Sequence, residues 1–128
     1  CGIGTGGTIS GIGKYYKENY PNVEIIGVEP KESSLLSKGI AGEHKIQGIG
    51  ANFIPPILNK EVIDRIISVS YKESIENCKL ITLLEGYLVG ISSGAVLEAC
   101  NRLLENEEYK DKKILLIFPD TGERYSWN

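Results

Sequence analysis

Short apolar segments that alternate with helix-like stretches limit this chain to few folds. Segments rich in apolar residues and four to seven residues long predict strands that are buried on both faces. These predicted strands span residues 23–29, 65–69, 88–91 and 114–118. Helical spacing of apolar residues predicts helices at 8–19, 71–85 and 93–106. This alternation is typical of an α/β fold, so we predict three αβα layers around a mostly parallel sheet.

Composition excludes several classes of protein. The 128 residues carry a net charge of −3, which gives no basic surface for nucleic acid or an anionic membrane. No apolar run approaches the roughly 18 residues of a membrane-spanning helix. The three cysteines, Cys1, Cys78 and Cys100, are widely spaced and form no metal-binding pattern. We expect Cys78 and Cys100 to be small core residues in a cytoplasmic protein.

One predicted helix has well-defined ends, whereas a long central stretch has no regular pattern. Ser70 is the expected N-cap of helix 71–85, Glu73 completes a capping box, and Gly86 is expected to end the helix. Residues 30–59 form a connection that is too long for an ordinary loop. We therefore expect this stretch to be functional or to contain short helices.

Glycines are concentrated at the start of the chain. Six of the 15 glycines lie in the first 13 residues, and residues 4–8 read GTGGT directly before a predicted helix. Glycine lets the backbone approach a ligand closely, and the helix N-terminus favours an anion. The threonine hydroxyls add hydrogen-bond donors. We interpret this segment as a phosphate-binding loop.

A second interpretation of the same loop stays open at this point. Gly2, Gly4 and Gly7 also match the dinucleotide-binding fingerprint. Glu29 ends the next predicted strand, 22 residues after Gly7, where an acid that binds a ribose would be expected. An NAD-binding domain is therefore an alternative.

Two further loops follow predicted strands. Ser92 and Ser93 stand where a strand meets a helix, so one serine is expected to cap the helix and the other to face a ligand. Pro119 begins a similar polar loop after the last predicted strand. Because parallel strands have their carboxyl ends at one edge, we expect both loops to lie beside Gly4.

Four motifs together resemble the cysteine synthases, also called O-acetylserine sulfhydrylases. They are GTGGT at 4–8, HKIQGIGANFIP at 44–55, GISSGA at 90–95 and FPDTGERY at 118–125. The motifs occur in the family's order and spacing, and the resemblance covers essentially all 128 residues. These enzymes use pyridoxal phosphate and have the tryptophan-synthase-β fold. The resemblance therefore implies that the chain is part of the large domain of such a fold.

The resemblance also implies roles for particular residues. Ser92 matches the serine that hydrogen-bonds the pyridine nitrogen of the cofactor, and Glu29 becomes structural. His44, the only histidine, is expected to order its loop without acting as the catalytic base. The expected phosphate-binding residues are Gly4, Thr5, Gly6, Gly7 and Thr8. The expected active-site entrance consists of Gln47, Gly48, Ile49 and Gly50.

The implied reaction makes cysteine and acetate from O-acetylserine and sulfide. The implied partners are a second copy of the chain in a homodimer and the tail of serine acetyltransferase. A cystathionine β-synthase-like enzyme is an alternative that shares the GTGGT loop and the serine. A truncated, non-catalytic paralogue that acts as a binding module is another.

The family's lysine that holds the cofactor belongs to a motif that this sequence lacks. Lys72 lies in a superficially similar SYKE segment, but we expect no catalytic role for it. Only three residues precede the GTGGT loop, the chain contains no methionine, and Trp127 departs from the family's pattern. We therefore expect the C-terminal part of a cofactor-binding domain, without the strand that feeds the loop or the N-terminal domain. Such a chain is expected to be inactive alone.

Overall fold

The structure is a computed structural model that describes residues 1–126, so the expectation about Trp127 lies outside the described residues. The four α-helices are α1 (Gly7–Asn19), α2 (Leu35–Lys38), α3 (Tyr71–Glu85) and α4 (Ile91–Leu104). The two strands are β1 (Ile26–Pro30) and β2 (Arg65–Val69). Short 3₁₀ helices cover Lys31–Ser33, Lys60–Val62, Glu107–Tyr109 and Gly122–Arg124. As expected, the central stretch contains short helices.

The two strands pair in parallel, and a third segment extends the sheet. Val28 of β1 lies opposite Ile67 of β2. On the other side of β1, Gly2 forms a parallel bridge with Val28, and the Ile3 N–H donates to the Val28 carbonyl oxygen at 2.9 Å. The residues before the glycine loop were expected to be too few for a strand, but they occupy a strand's position in the sheet.

The sheet has a helix on each face, which confirms the α/β class and the three layers. Val28 and Val69 pack with α4 residues such as Ala95 and Ala99 in one core cluster. Ile3, Ile9 and Ile25 form a second cluster, in which α1 covers the opposite face. Alternate residues of a strand point to opposite faces of the sheet. Strands that are buried on both faces, as predicted, therefore require both α1 and α4.

Two of the four predicted strands are wrong. Residues 88–91 and 114–118 do not form strands, and Ile91 already belongs to α4. Val89 forms an isolated antiparallel bridge with Thr121, which lies beyond residues 114–118. An apolar segment becomes a strand only where a neighbouring backbone accepts its hydrogen bonds. Residues 114–118 have no such ladder within residues 1–126, and Leu115 is 71% exposed.

Helix α3 begins and ends as predicted because its signals are local. The Ser70 hydroxyl accepts from the Glu73 N–H, and the Glu73 carboxylate accepts from the Ser70 N–H at 2.9 Å. Gly86 ends the helix with φ 74°, a left-handed conformation that glycine adopts readily. None of the helices within residues 1–126 is long and apolar enough to cross a membrane.

Cys78 and Cys100 are core residues, as predicted, and this makes a labelling pattern testable. They are buried, whereas Cys1 is only partly buried. Burial raises the pKa of both buried thiols, to about 11 for Cys78. Because the thiolate is the reactive form, we expect a disulfide-exchange reagent at pH 8 to label Cys1 alone in the folded chain. All three should react in denaturant. Mass spectrometry of the labelled chain checks this, and rapid native labelling of Cys78 would contradict it.

Candidate functional site

A cavity of about 120 Å³ lies where the glycine loop, the 47–50 turn and the N-terminus of α4 meet. The first of these contributes all five residues from Gly4 to Thr8, and the others contribute Gly48, Ile49 and Ser92. The remaining lining residues are Cys1, Gly2, Val96, Ile117 and Pro119. The three loops predicted to share an edge therefore meet, although only the first is reached through a parallel strand segment.

The N-terminus of α1 is suited to binding an anion. Gly6 is the N-cap with φ 88°, no side chain caps the helix, and its first turn carries no acidic residue. The helical hydrogen bonds begin with the Ser10 N–H, which donates to the Gly6 carbonyl oxygen at 3.0 Å. The N–H groups of the first turn of α1 are thus outside the helical ladder. They lie at the positive end of the helix dipole. An anionic group in the cavity could accept hydrogen bonds from them.

The 47–50 turn packs directly on the glycine loop. A Cβ atom added to Gly4 would lie 2.3 Å from the Gly48 carbonyl oxygen, and one added to Gly2 would lie 2.6 Å from the Ile49 side chain. The Gly50 N–H donates to the Ile3 carbonyl oxygen at 2.9 Å. These contacts show why glycine is needed at positions 2 and 4, which face the turn.

His44 orders this turn, as its predicted loop-ordering role required. Its Nε2 lies 2.7 Å from the Gly50 carbonyl oxygen, and its Nδ1 accepts from the Ile46 N–H at 3.2 Å. His44 does not line the cavity. The side chain therefore acts on the turn and has no direct contact with the cavity.

Helix α4 starts two residues earlier than predicted, and this changes the roles of the two serines. Gly90 is the N-cap, and neither serine caps the helix, so that part of the prediction is wrong. Ser92 lines the cavity and is buried. Ser93 is fully buried, and its hydroxyl has no hydrogen-bond partner among residues 1–126. Starting the helix at Ile91 places Ser92 in its first turn, on the side of the cavity.

The third loop is tied to the second by backbone and side-chain contacts. The Gly90 N–H donates to the Asp120 carbonyl oxygen at 3.1 Å, and the Gly122 N–H donates to the Leu88 carbonyl oxygen at 3.0 Å. The Tyr125 hydroxyl donates to the Asp120 carboxylate. Burial, together with this hydrogen bond, raises the pKa of Tyr125 to about 12. The phenol therefore stays protonated and keeps Asp120 in place at neutral pH.

Some residues singled out from the sequence lie outside the cavity. Gln47 and Gly50 belong to the 47–50 turn but do not line the cavity. Lys72 is on the exposed surface of α3, with its side chain 86% exposed. Glu29 is buried at the end of β1, where its carboxylate accepts hydrogen bonds from the Leu36 N–H at 3.0 Å and the Ser68 hydroxyl at 3.1 Å. Glu29 does not line the cavity.

Sequence reasoning missed the apolar part of the lining. Val96 and Ile117 face the cavity but belong to patterns that predict only burial. Val96 is four residues after Ser92, so both lie on the same side of α4. That helical spacing was a usable signal for Val96. Ile117 offered no such signal because it was assigned to a strand that does not form.

Comparison with known proteins identifies the family. The family model described as pyridoxal-phosphate dependent enzyme matches residues 1–120. This chain belongs to that family. Among pyridoxal-phosphate-dependent enzymes, cysteine synthase B of Campylobacter jejuni is 56% identical over 125 residues, which are 98% of this chain and 41% of that relative. The chain thus spans about two fifths of the length of that relative.

Solved structures of similar enzymes show the same fold. The cysteine synthase of Entamoeba histolytica superimposes with a TM-score of 0.94 and is 40% identical, covering 97% of this chain and 37% of that one. A hydrogen sulfide-producing enzyme of Fusobacterium nucleatum has a TM-score of 0.91 and is 40% identical, with coverages of 98% and 43%. The predicted resemblance to cysteine synthases is therefore confirmed, and the dinucleotide-binding alternative is wrong.

The cavity fits the cofactor of this family. Pyridoxal phosphate carries a dianionic phosphate and an aromatic ring with one nitrogen. The uncapped N-terminus of α1 suits the phosphate, and the absence of a Cβ at Gly4 keeps space between the loop and the turn. The Ser92 hydroxyl and the Val96 side chain offer a polar and an apolar contact for a ring.

Proposed function

We propose that this chain holds the cofactor in a cysteine synthase. The polypeptide that contains it would convert O-acetylserine and hydrogen sulfide to cysteine and acetic acid. When bound, pyridoxal phosphate supplies an electron sink that stabilises negative charge at the α-carbon of the amino acid. The observation that carries the proposal is the meeting of Gly4–Thr8, Ser92 and the 47–50 turn around one cavity.

The glycine loop would bind the phosphate. Backbone N–H groups at the start of α1 and the hydroxyls of Thr5 and Thr8 are donors that border the cavity. Such donors are fixed in place before the ligand arrives, so little ordering is needed on binding. Holding the phosphate fixes one end of the ring.

Ser92 would hold the other end of the ring through the pyridine nitrogen. A neutral hydroxyl can donate to that nitrogen without forcing it to be protonated. This choice of partner moderates the electron sink, which suits elimination and replacement at the β-carbon better than transamination. Val96 and Ile117 would keep water from the adjoining side of the cavity.

The cavity formed by residues 1–126 is one wall of a larger site in this proposal. Its volume of about 120 Å³ is below the roughly 300 Å³ at which ligand pockets begin. Lys72 is exposed on α3 and cannot serve as the cofactor's lysine from there. A lysine that moves protons would therefore come from residues outside this wall.

Cofactor binding gives the direct test. We expect pyridoxal phosphate titrated into the chain to bind, with inorganic phosphate competing, because both would occupy the start of α1. Thermal shift and the absorbance of the cofactor measure this, with NAD as the matched control ligand. Stabilisation by NAD with none by pyridoxal phosphate would contradict the proposal.

Activity should require more than this chain. We expect the purified 128-residue chain to form no cysteine from O-acetylserine and sulfide above a control without protein. A cystathionine β-synthase-like activity would instead be revealed if homocysteine, in place of sulfide, were the preferred acceptor of the complete enzyme. Substantial cysteine formation by the chain alone would contradict the proposal that this chain holds the cofactor while other residues supply the lysine.

We also propose that the chain self-associates, in line with the implied homodimer. Leu83, Leu84 and Tyr87 at the end of α3 are highly exposed apolar side chains. Light scattering that shows a monodisperse monomer would count against self-association.

Two further predictions are also proposals. The first is the docking of a serine acetyltransferase tail, and the second is a cytoplasmic location, which the three free cysteines support. Co-purification of the acetyltransferase without cofactor binding would favour the alternative of a binding module.

A further inference from the structure

The hydrogen bonds of His44 define the protonation of its ring. The Gly50 carbonyl oxygen can only accept, so Nε2, 2.7 Å away, carries the proton and donates. Nδ1 accepts from the Ile46 N–H at 3.2 Å, so it carries a lone pair. Both bonds are satisfied together only by the neutral imidazole protonated at Nε2. This assignment follows from the hydrogen-bond network.

His44 is connected to the glycine loop through the backbone of Gly50. The imidazole donates to the Gly50 carbonyl oxygen, while the Gly50 N–H donates to the Ile3 carbonyl oxygen at 2.9 Å. Ile3 in turn donates to Val28 of β1 at 2.9 Å. A continuous series of hydrogen bonds thus runs from the side chain, through the turn, to the central sheet.

The packing around Gly50 leaves the turn no room to shift towards His44. Gly50 has φ 67°, and a Cβ atom added there would lie 2.5 Å from His44 Nε2 and 2.6 Å from Pro30 Cγ. On the other side of the turn, the Gly48 carbonyl oxygen faces Gly4. The ring therefore supports the turn from behind while the turn contacts the glycine loop.

We propose that His44 is a positioning residue for the cofactor site. By holding the Gly50 carbonyl oxygen, it keeps Gly48 and Ile49 in the cavity wall beside the phosphate-binding loop. The ligand in this inference rests on the proposed function, because pyridoxal phosphate is the group that the wall would contact. The bond to Gly50 carries the effect, whereas the bond to Ile46 stays local to the loop.

Two substitutions separate the two hydrogen bonds. His44→Gln places an amide N–H at the reach of Nε2 and retains a donor for Gly50, but it removes the acceptor at the position of Nδ1. His44→Asn places a carbonyl oxygen near the position of Nδ1 and retains the acceptor for Ile46, as in an Asx-turn, but it cannot reach Gly50. The pair is matched in chemistry and differs in which contact survives.

Amide hydrogen exchange at Gly50 and titration with pyridoxal phosphate give the two readouts. For His44→Asn we expect about five- to tenfold faster exchange at Gly50 and a similar loss of affinity, which is the effect of one hydrogen bond. His44→Gln should stay within about twofold of the parent chain in both. Equal behaviour of the two variants, or a larger effect of His44→Gln, would overturn the proposal.

The readouts also separate this inference from the proposed function. If the parent chain fails to bind pyridoxal phosphate, the proposed function is contradicted and the exchange data alone decide the role of His44. Nitrogen NMR of the parent imidazole gives a test that needs no variant to fold. A proton found on Nδ1 in place of Nε2 at pH 8 would overturn the positioning role.

Discussion

Gly4→Ala is expected to weaken the binding of pyridoxal phosphate by roughly tenfold or more. The added Cβ would lie 2.3 Å from the Gly48 carbonyl oxygen, and that oxygen belongs to backbone that cannot rotate away. The glycine loop and the 47–50 turn would have to separate, which disturbs two walls of the cavity at once. Titration of the variant with the cofactor, followed by its absorbance, measures the loss.

The matched control for this substitution is Gly11→Ala. Gly11 lies within α1, seven residues after Gly4, and a Cβ atom there would meet nothing within 4 Å. Alanine is the better helix former, so this control should bind cofactor as the parent does and gain about 0.5–1 kcal/mol of stability. If Gly4→Ala binds pyridoxal phosphate as tightly as the parent chain does, the 47–50 turn is not part of the cofactor site.

Gly94→Ala is expected to reduce the free energy of unfolding by about 3 kcal/mol or more. Its Cβ would lie 1.9 Å from the Ser74 carbonyl oxygen and 2.9 Å from the Cys78 backbone nitrogen, both in α3. The gain in helix propensity is small against the separation of two packed helices. Urea unfolding followed by circular dichroism measures the difference.

Gly11→Ala again serves as the control, because it makes the same chemical change inside a helix without a neighbour. The difference between the two variants isolates the helix–helix contact from propensity. Arg102 of α4 further joins the two helices through its ion pair with Glu73 of α3 at 2.7 Å. If Gly94→Ala unfolds at the same urea concentration as the parent, the close approach of α3 and α4 is wrong.

Local signals in the sequence predicted their elements well. The Ser70–Glu73 capping box and Gly86 define α3 at both ends, and β2 was predicted at Arg65–Val69 without error. Both depend on neighbours within a few residues or on a short apolar run between turn signals. The glycine loop was likewise expected directly before a helix, and α1 begins at Gly7.

Elements that depend on distant neighbours were predicted less well. Residues 114–118 have the composition of a buried strand, but within residues 1–126 they form no ladder of hydrogen bonds with a neighbouring strand. Ser92 and Ser93 looked like alternatives for one cap, whereas Gly90 takes that position. Gly90 lies against the Asp120 side chain, a contact between residues 30 positions apart. No local pattern contains that information.

The sequence by itself determined the α/β class, the boundaries of α3 and β2, and the residues around which a cofactor site could form. The tertiary structure decided which of those residues meet. Ser92 reaches the cavity, Gln47 does not, and His44 supports the turn from behind. The physical reason is range. Caps and strand propensities act over a few residues, whereas the cavity is lined by segments that are more than 20 residues apart in the chain.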